Sequence, residues 1–262
     1  MSYLQSPLAP SQAALPPSVP LSTLASARAS LWDVSALVYR HTYDAAAHQV
    51  DERAIAAVQD VIRGGVVVDA GCGPGVVTPR FIEAGARKVL AVDVSAAMLK
   101  KVPELSAVTK VAADLQPGAF AQLRREYEPN GFDLIWFKRS LYHADDVALA
   151  LLRDAYASLR PGGRIVVIHP ESSLRRYVFD IQKDDHVRLA SYTAYHSFNR
   201  FISVFLSSLR VHTYRHRSAE ALLTLGRLIE DNSAGTNSSA QLIDTGVSAF
   251  NTLLIEREDA TW

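Results

Sequence analysis

Between Leu31 and Ile62 apolar residues recur every three or four positions, first as Leu31, Val34, Leu37 and Val38, then as Ile55, Val58, Val61 and Ile62, closing at Gly64-Gly65. That spacing predicts two helices ahead of any strand. Short β-branched runs follow at Val66-Val67-Val68, Val89-Leu90-Ala91-Val92, residues 108–111, Leu134-Ile135-Trp136-Phe137 and Ile165-Val166-Val167-Ile168. Helical patterns separate them over residues 79–84, 96–102, 119–127 and 146–159. Continuous apolar strands alternating with helices predict a parallel sheet covered on both faces. After Ile168 the alternation stops. Residues 172–208 carry Tyr177, Phe179, Tyr192, Tyr195, Phe198, Phe201 and Phe205 at largely helical intervals, which predicts a helical insertion above the sheet. A helix near residues 219–229 and a last strand near 250–255 follow. Residues 231–239, DNSAGTNSS, read as a loop.

Composition narrows the class. A chain of 262 residues with 48% apolar and 21% charged residues suits one domain with a full core. It contains no run near the roughly 18 apolar residues of a membrane span, so a soluble protein is expected. Twenty-seven basic residues balance 27 acidic ones, which leaves no global field to collect nucleic acid or an anionic membrane. The single cysteine, Cys72, excludes an intramolecular disulfide and suits a reducing, cytoplasmic compartment. Residues 1–30 hold Pro7, Pro10, Pro16, Pro17 and Pro20 with a single charge, Arg28. They predict a disordered or extended arm ahead of a domain spanning 31–262. Their lack of acids weakly resembles an organelle transit peptide, and a secretory signal is not indicated.

The most specific chemistry lies in Asp69-Ala70-Gly71-Cys72-Gly73-Pro74-Gly75, which follows a buried strand and opens a helix. An open α/β sheet binds its nucleotide in that place. A dinucleotide fingerprint would need glycine at position 76, where this chain has Val76. Asp69 would repel a pyrophosphate and suits a ligand carrying an ammonium and a sulfonium. This segment resembles the first motif of class I S-adenosylmethionine-dependent methyltransferases, and further elements match in order. Ala91-Val92-Asp93 resembles the end of the second strand, where the resemblance implies that Asp93 takes both ribose hydroxyls. Val94 follows it, Ser95 caps the next helix, and Met98 is implied to pack on the adenine. Ala112-Ala113-Asp114-Leu115 resembles the third motif, whose Asp accepts from the adenine amino group. Residues 132–143, through Phe137 and Leu141-Tyr142-His143, resemble the fourth strand and its following element. Leu159-Arg160-Pro161-Gly162-Gly163-Arg164 resembles the turn entering the fifth strand. Aspartates at strand-to-helix junctions also serve as caps and turn formers, and that reading stands beside the functional one for Asp69, Asp93 and Asp114.

The resemblance covers roughly residues 32–169. It implies a Rossmann-like, seven-stranded, mostly parallel sheet with helices on both faces, amino-terminal lid helices and a helical cap insertion after the fifth strand. It also implies S-adenosyl-L-methionine as cofactor, with Asp69, Gly71, Cys72, Gly73, Asp93, Val94, Met98, Asp114, Leu115, Phe137 and Tyr43 expected to hold it. The implied activity is transfer of a methyl group to O, N or C of a small metabolite by a monomer or homodimer. Relatives that use the cofactor without transfer, as cyclases or binding modules, form the alternative.

Methyl transfer is an in-line displacement at an already activated carbon, so positioning and desolvation dominate. A base is needed only where the acceptor must lose a proton. His143 is the candidate, since imidazole titrates near neutral pH. Lys138 and Arg139 predict one plain surface charge and one group able to meet an anionic substrate, and His169 and Glu171 border the substrate side. Tyr39 and Tyr43 fall on the amino-terminal helix that the resemblance implies as a lid over the cofactor. Residues 172–217 carry eight basic residues against Asp180, Asp184 and Asp185, a face that either is solvated or steers an anion. With its aromatics, the cap predicts an acceptor that is small, flat or apolar. No His, Cys and Asp cluster has metal-ligand spacing.

Overall fold

A computed structural model of the chain describes residues 26, 29, 30, 32, 33, 36, 45–141, 145–170, 238–244 and 250–257. The expected cap at 172–208, the helix near 219–229, and most of the amino-terminal arm lie outside those residues. Strands β1 (Val66–Ala70), β2 (Lys88–Asp93), β3 (Val108–Ala112), β4 (Phe132–Lys138), β5 (Leu159–Pro170), β6 (Ser238–Ile243) and β7 (Phe250–Arg257) form one sheet in the order β3-β2-β1-β4-β5-β7-β6. The first five run parallel, while β7 is antiparallel to both β5 and β6.

Alternation along each strand divides the core into two layers, because successive side chains point to opposite faces. Val66, Val68, Leu90, Ile135, Phe137, Ile165 and Val167 pack on one face. There they meet helices α5 (Ala119–Tyr127) and α6 (Asp145–Ala157) through Phe120, Leu123, Leu151 and Leu152. Val67, Leu134, Trp136, Val166 and Ile168 pack on the other. That face is covered by α1 (Ala45–Ala57), α2 (Gln59–Ile62) and α3 (Thr78–Glu83) through Val50, Ala54, Ile62 and Phe81. Phe81 meets Trp136 edge-on, with ring centroids 5.3 Å apart. The short α4 (Ala96–Leu99) lies over β2 and β3, with Leu99 and Val102 buried beside Ala91.

Five sequence expectations are corrected in detail. The apolar run through Ile62 is not one helix: Val58, at φ −124° and ψ 18°, separates α1 from α2. The helix at Ala96 ends at Leu99, and the one before β5 ends at Ala157, because Leu159 already pairs with Phe132. Pro161-Gly162-Gly163 is an irregularity inside β5, marked by a register shift between Phe132 and Leu134, rather than a turn preceding it. Ser238 and Ser239, expected in a loop, open the edge strand β6.

The order β3-β2-β1-β4-β5 makes the chain leave β1 to one side and later return to β4 on the other. Above the carboxyl ends of those two strands such a switch opens a crevice. The helices that flank it are held from a distance. Gly118, at φ 95°, offers no side-chain cap to α5. Asp154 of α6 accepts instead from the N–H groups of Gly118, Phe120 and Ala121 at 2.8, 2.8 and 3.2 Å. Asp154→Ala orphans these donors and is expected to cost about 0.5–2 kcal/mol, the usual loss for a removed helix cap. Urea unfolding measures it, and an unchanged midpoint would refute the long-range cap.

Candidate functional site

The loop after β1 is built by backbone geometry that only glycine adopts without strain. Gly71, Gly73 and Gly75 have φ of 71°, 54° and 76°. The N–H groups of Gly71 and Cys72 both donate to the carbonyl of Val92, at 2.8 and 2.9 Å, which ties the loop to the end of β2. On the other side Ser140, just past β4, donates its hydroxyl to the carbonyl of Ala70 at 2.5 Å. A Cβ at Gly71 would lie 2.4 Å from that of Ser140, so close approach requires glycine as much as φ does. The loop is therefore clamped between β2 and β4 at the switch point. Cys72 is half-buried, and its thiol is pushed up by burial and by the carboxylates of Asp69 and Asp93.

Asp93 closes the far side of the loop. Its two carboxylate oxygens accept from the N–H of Gly73 and of Ser95, each at 2.8 Å. The side chain is 9% exposed, and burial raises its carboxyl above the usual range. N–H groups of Ser95, Gly73 and Val94 pull it back down, whereas the carboxylate of Asp33 adds to the rise. Ser95 caps α4 as expected, its hydroxyl accepting from Met98 N–H at 3.0 Å. Met98 is 2% exposed and Val94 half-buried. Ala113 N–H donates to the Asp93 carbonyl at 3.0 Å, which brings the segment holding Asp114 against the end of β2. Asp114 is half-buried there.

Leu115 and Phe137 take a different place. Both belong to the core layer under α5 and α6, where the fully buried Phe137 ring meets Phe120 edge-on at 5.5 Å. Tyr39, Tyr43, Tyr142, His143 and Glu171 lie outside the described residues, as does the side chain of His169 on β5.

Beneath the loop, on the face of α1 and α3, sits a buried group of charges. Asp69 is 4% exposed and accepts from the Thr78 hydroxyl at 2.7 Å. Burial pushes its carboxyl up to about 7, Thr78 opposes the rise, and Asp51 and Asp93 add to it. The Lys138 ammonium lies 2.5 Å from the Asp51 carboxylate, with the two side chains 7% and 0% exposed. Burial pulls Lys138 down to about 8 despite that partner. The expectation of a plain surface charge at Lys138 or Arg139 is thus corrected. Lys138 shares the inward face of Leu134 and Trp136, and Arg139 is half-buried at the left-handed φ of 54°. Sequence reasoning missed Asp51, although it falls on the apolar stripe of Ala54, Ile55 and Val58 at helical spacing. It also missed Asp33 and Ser140, for which no local pattern exists.

The family described as a methyltransferase domain matches residues 67–163. No curated protein matches the chain in sequence. Among solved structures, the DhpI complex with S-adenosylhomocysteine shares 20% identity over 91% of this chain and 99% of that one, with a TM-score of 0.58. The 1,6-didemethyltoxoflavin-N1-methyltransferase of Burkholderia thailandensis shares 20% over 98% and 94%, with a TM-score of 0.55. An S-adenosylmethionine-dependent methyltransferase of Anabaena variabilis shares 15% over 89% and 93%, with a TM-score of 0.53. These likenesses show a shared fold, the Rossmann-like methyltransferase fold.

Folding lifts the Asp69 carboxyl from 3.8 to about 7, so the native state holds a proton that the unfolded chain gives up between those values. The stability this group supplies is complete below pH 3.8 and is lost as pH rises through 7. Asp69→Asn keeps an acceptor for Thr78 and removes the titration. In urea unfolding the variant is expected to gain on the unsubstituted protein from pH 5 to pH 8; a constant difference would refute the burial account.

Proposed function

We propose, from the match of residues 67–163 to the methyltransferase-domain family, that this protein transfers a methyl group from S-adenosyl-L-methionine to O, N or C of a small metabolite. One observation carries the reading: Asp93, at the end of β2, ties the start of α4 to the glycine loop that lies at the switch point of the sheet. A carboxylate oxygen that accepts one N–H retains further lone-pair capacity, so Asp93 can still accept ribose hydroxyls. The cofactor supplies a carbon made electrophilic by its sulfonium centre.

The charge pattern supports a cationic nucleoside over a diphosphate. Asp69 and Asp93 are both buried near the loop, and each disfavours the other's ionisation. A cation in the crevice offsets that repulsion and holds both carboxyls in their charged form, whereas a pyrophosphate would add to it. The half-buried Val94, the edge of the buried Met98, and Asp114 are assigned to the adenosine side, with Gly71, Cys72 and Gly73 lining the turn. His143 is assigned as general base wherever the acceptor carries a proton.

The direct test is incubation with methyl-labelled cofactor and a panel of small oxygen, nitrogen and carbon acceptors, with labelled product expected. Tight cofactor binding without product across the panel would replace transfer by a cyclase or binding role. Asp93→Ala is expected to weaken S-adenosylhomocysteine by about 1–3 kcal/mol in calorimetry, through lost charge-assisted bonds and a released loop. Unchanged affinity would remove Asp93 from the site. His143→Ala should lower turnover by about 10²- to 10⁴-fold at constant cofactor affinity, and an unaltered rate would end the base assignment.

A further inference from the structure

Helix α4 has four residues, too few to stand on its own hydrogen bonds. Its first N–H groups need partners from elsewhere. Ser95 answers for Met98, as the sequence suggests, but the N–H of Ala97 is met from 64 residues away: Asp33 Oδ1 accepts it at 3.0 Å. The same oxygen accepts the Ser95 hydroxyl at 2.6 Å. With its hydroxyl hydrogen directed at Asp33, the Ser95 oxygen turns its lone pairs to Met98 N–H and accepts from it at 3.0 Å. Ser95 N–H donates in turn to Asp93, whose other oxygen holds Gly73. A continuous chain of hydrogen bonds thus runs from Asp33 through Ser95 and Asp93 to the glycine loop. Lys101 adds a second tie, donating to the carbonyl of Ala36. Asp33 and Ala36, the residues that make these contacts, are helical, as are Ala29, Ser30 and Trp32.

We propose that Asp33 is a positioning residue for the candidate cofactor site, setting the Asp93 carboxylate and the glycine loop through Ser95. The identity of the ligand rests on the function proposed above; the relay itself does not. Docking of the amino-terminal segment and binding at Asp93 are then linked: whatever binds Asp93 and the loop in their relayed geometry tightens the segment's grip on α4, and the docked segment tightens binding equally.

Two substitutions in the full chain separate the relay from a simple surface cap. Asp33→Ala removes both acceptances. Asp33→Asn keeps an oxygen in the same place and removes the charge. Amide hydrogen exchange without ligand is expected to speed up in Asp33→Ala by about 3- to 30-fold at Ala97 and Met98, the range a lost cap implies, and to speed up at Gly73 as well. Asp33→Asn should restore protection at all three. Faster exchange confined to Ala97, with Met98 and Gly73 unchanged, would overturn the proposal.

Affinity for S-adenosylhomocysteine gives the second readout. Asp93 faces the carboxylates of Asp33 and Asp69 and the thiol of Cys72. Binding to its ionised form weakens as pH falls through its raised value. Asp33→Asn removes one like charge, so the acid limb of the binding profile should move to lower pH, while Asp33→Ala weakens binding at neutral pH by about 3- to 30-fold. An unmoved limb together with unchanged affinity in Asp33→Ala would contradict the relay. Failure of the unsubstituted protein to bind S-adenosylhomocysteine would instead refute the proposed function and leave the exchange measurement to decide the role of Asp33.

Discussion

A buried carboxylate sharing its two oxygens between two loops is the constraint on which the site depends. Asp93 is nearly inaccessible, so ionising it is costly unless donors surround it. Gly73 and Ser95 supply those donors from opposite sides, and in doing so they lose their own freedom. The same bonds that make the charge tolerable therefore fix the turn after β1 against the start of α4. Parallel pairing of β1 with β2 and of β2 with β3 brings these loops to one edge. The clamp of Gly71 and Cys72 on Val92 and the contact of Ala113 with Asp93 lie on that same edge.

Below the edge, the Asp51, Asp69, Lys138 and Thr78 group follows a second logic. Two acids and one base share a buried volume, and the base is bonded to Asp51. Asp69 is left with a hydroxyl as its direct partner, which explains its drift toward neutrality. Such a group resembles other buried ion pairs in costing desolvation that attraction only partly returns. Its position, joining α1 to β4 and lying next to the glycine loop, ties the charge state of the floor to the geometry of the crevice.

Much of this was legible in the sequence because the signals are local. Five apolar runs, the glycine loop opened by Asp69, and Ser95 as a cap each declare themselves within ten residues. What escaped depends on contacts between distant segments or on polar edges. Strand β6 begins in a Ser-rich stretch and pairs with β7 alone, and an edge strand needs no apolar alternation to be stable. The break at Val58 leaves the apolar period intact, so periodicity cannot reveal it. Phe137 stands in a motif by sequence, yet its parity along β4 sends it to the core with Ile135 while Lys138 joins Trp136 on the other face. Reading that parity would have placed Lys138 inside. Asp33 and Ser140 reach their partners only once the sheet has assembled.

The most direct test of the account is a crystal structure of the protein soaked with S-adenosylhomocysteine. The account predicts nucleoside density beside Gly71 and Gly73, with the ribose hydroxyls on the carboxylate of Asp93. A crevice left vacant at saturating concentration, or the nucleoside seated elsewhere on the sheet, would contradict it.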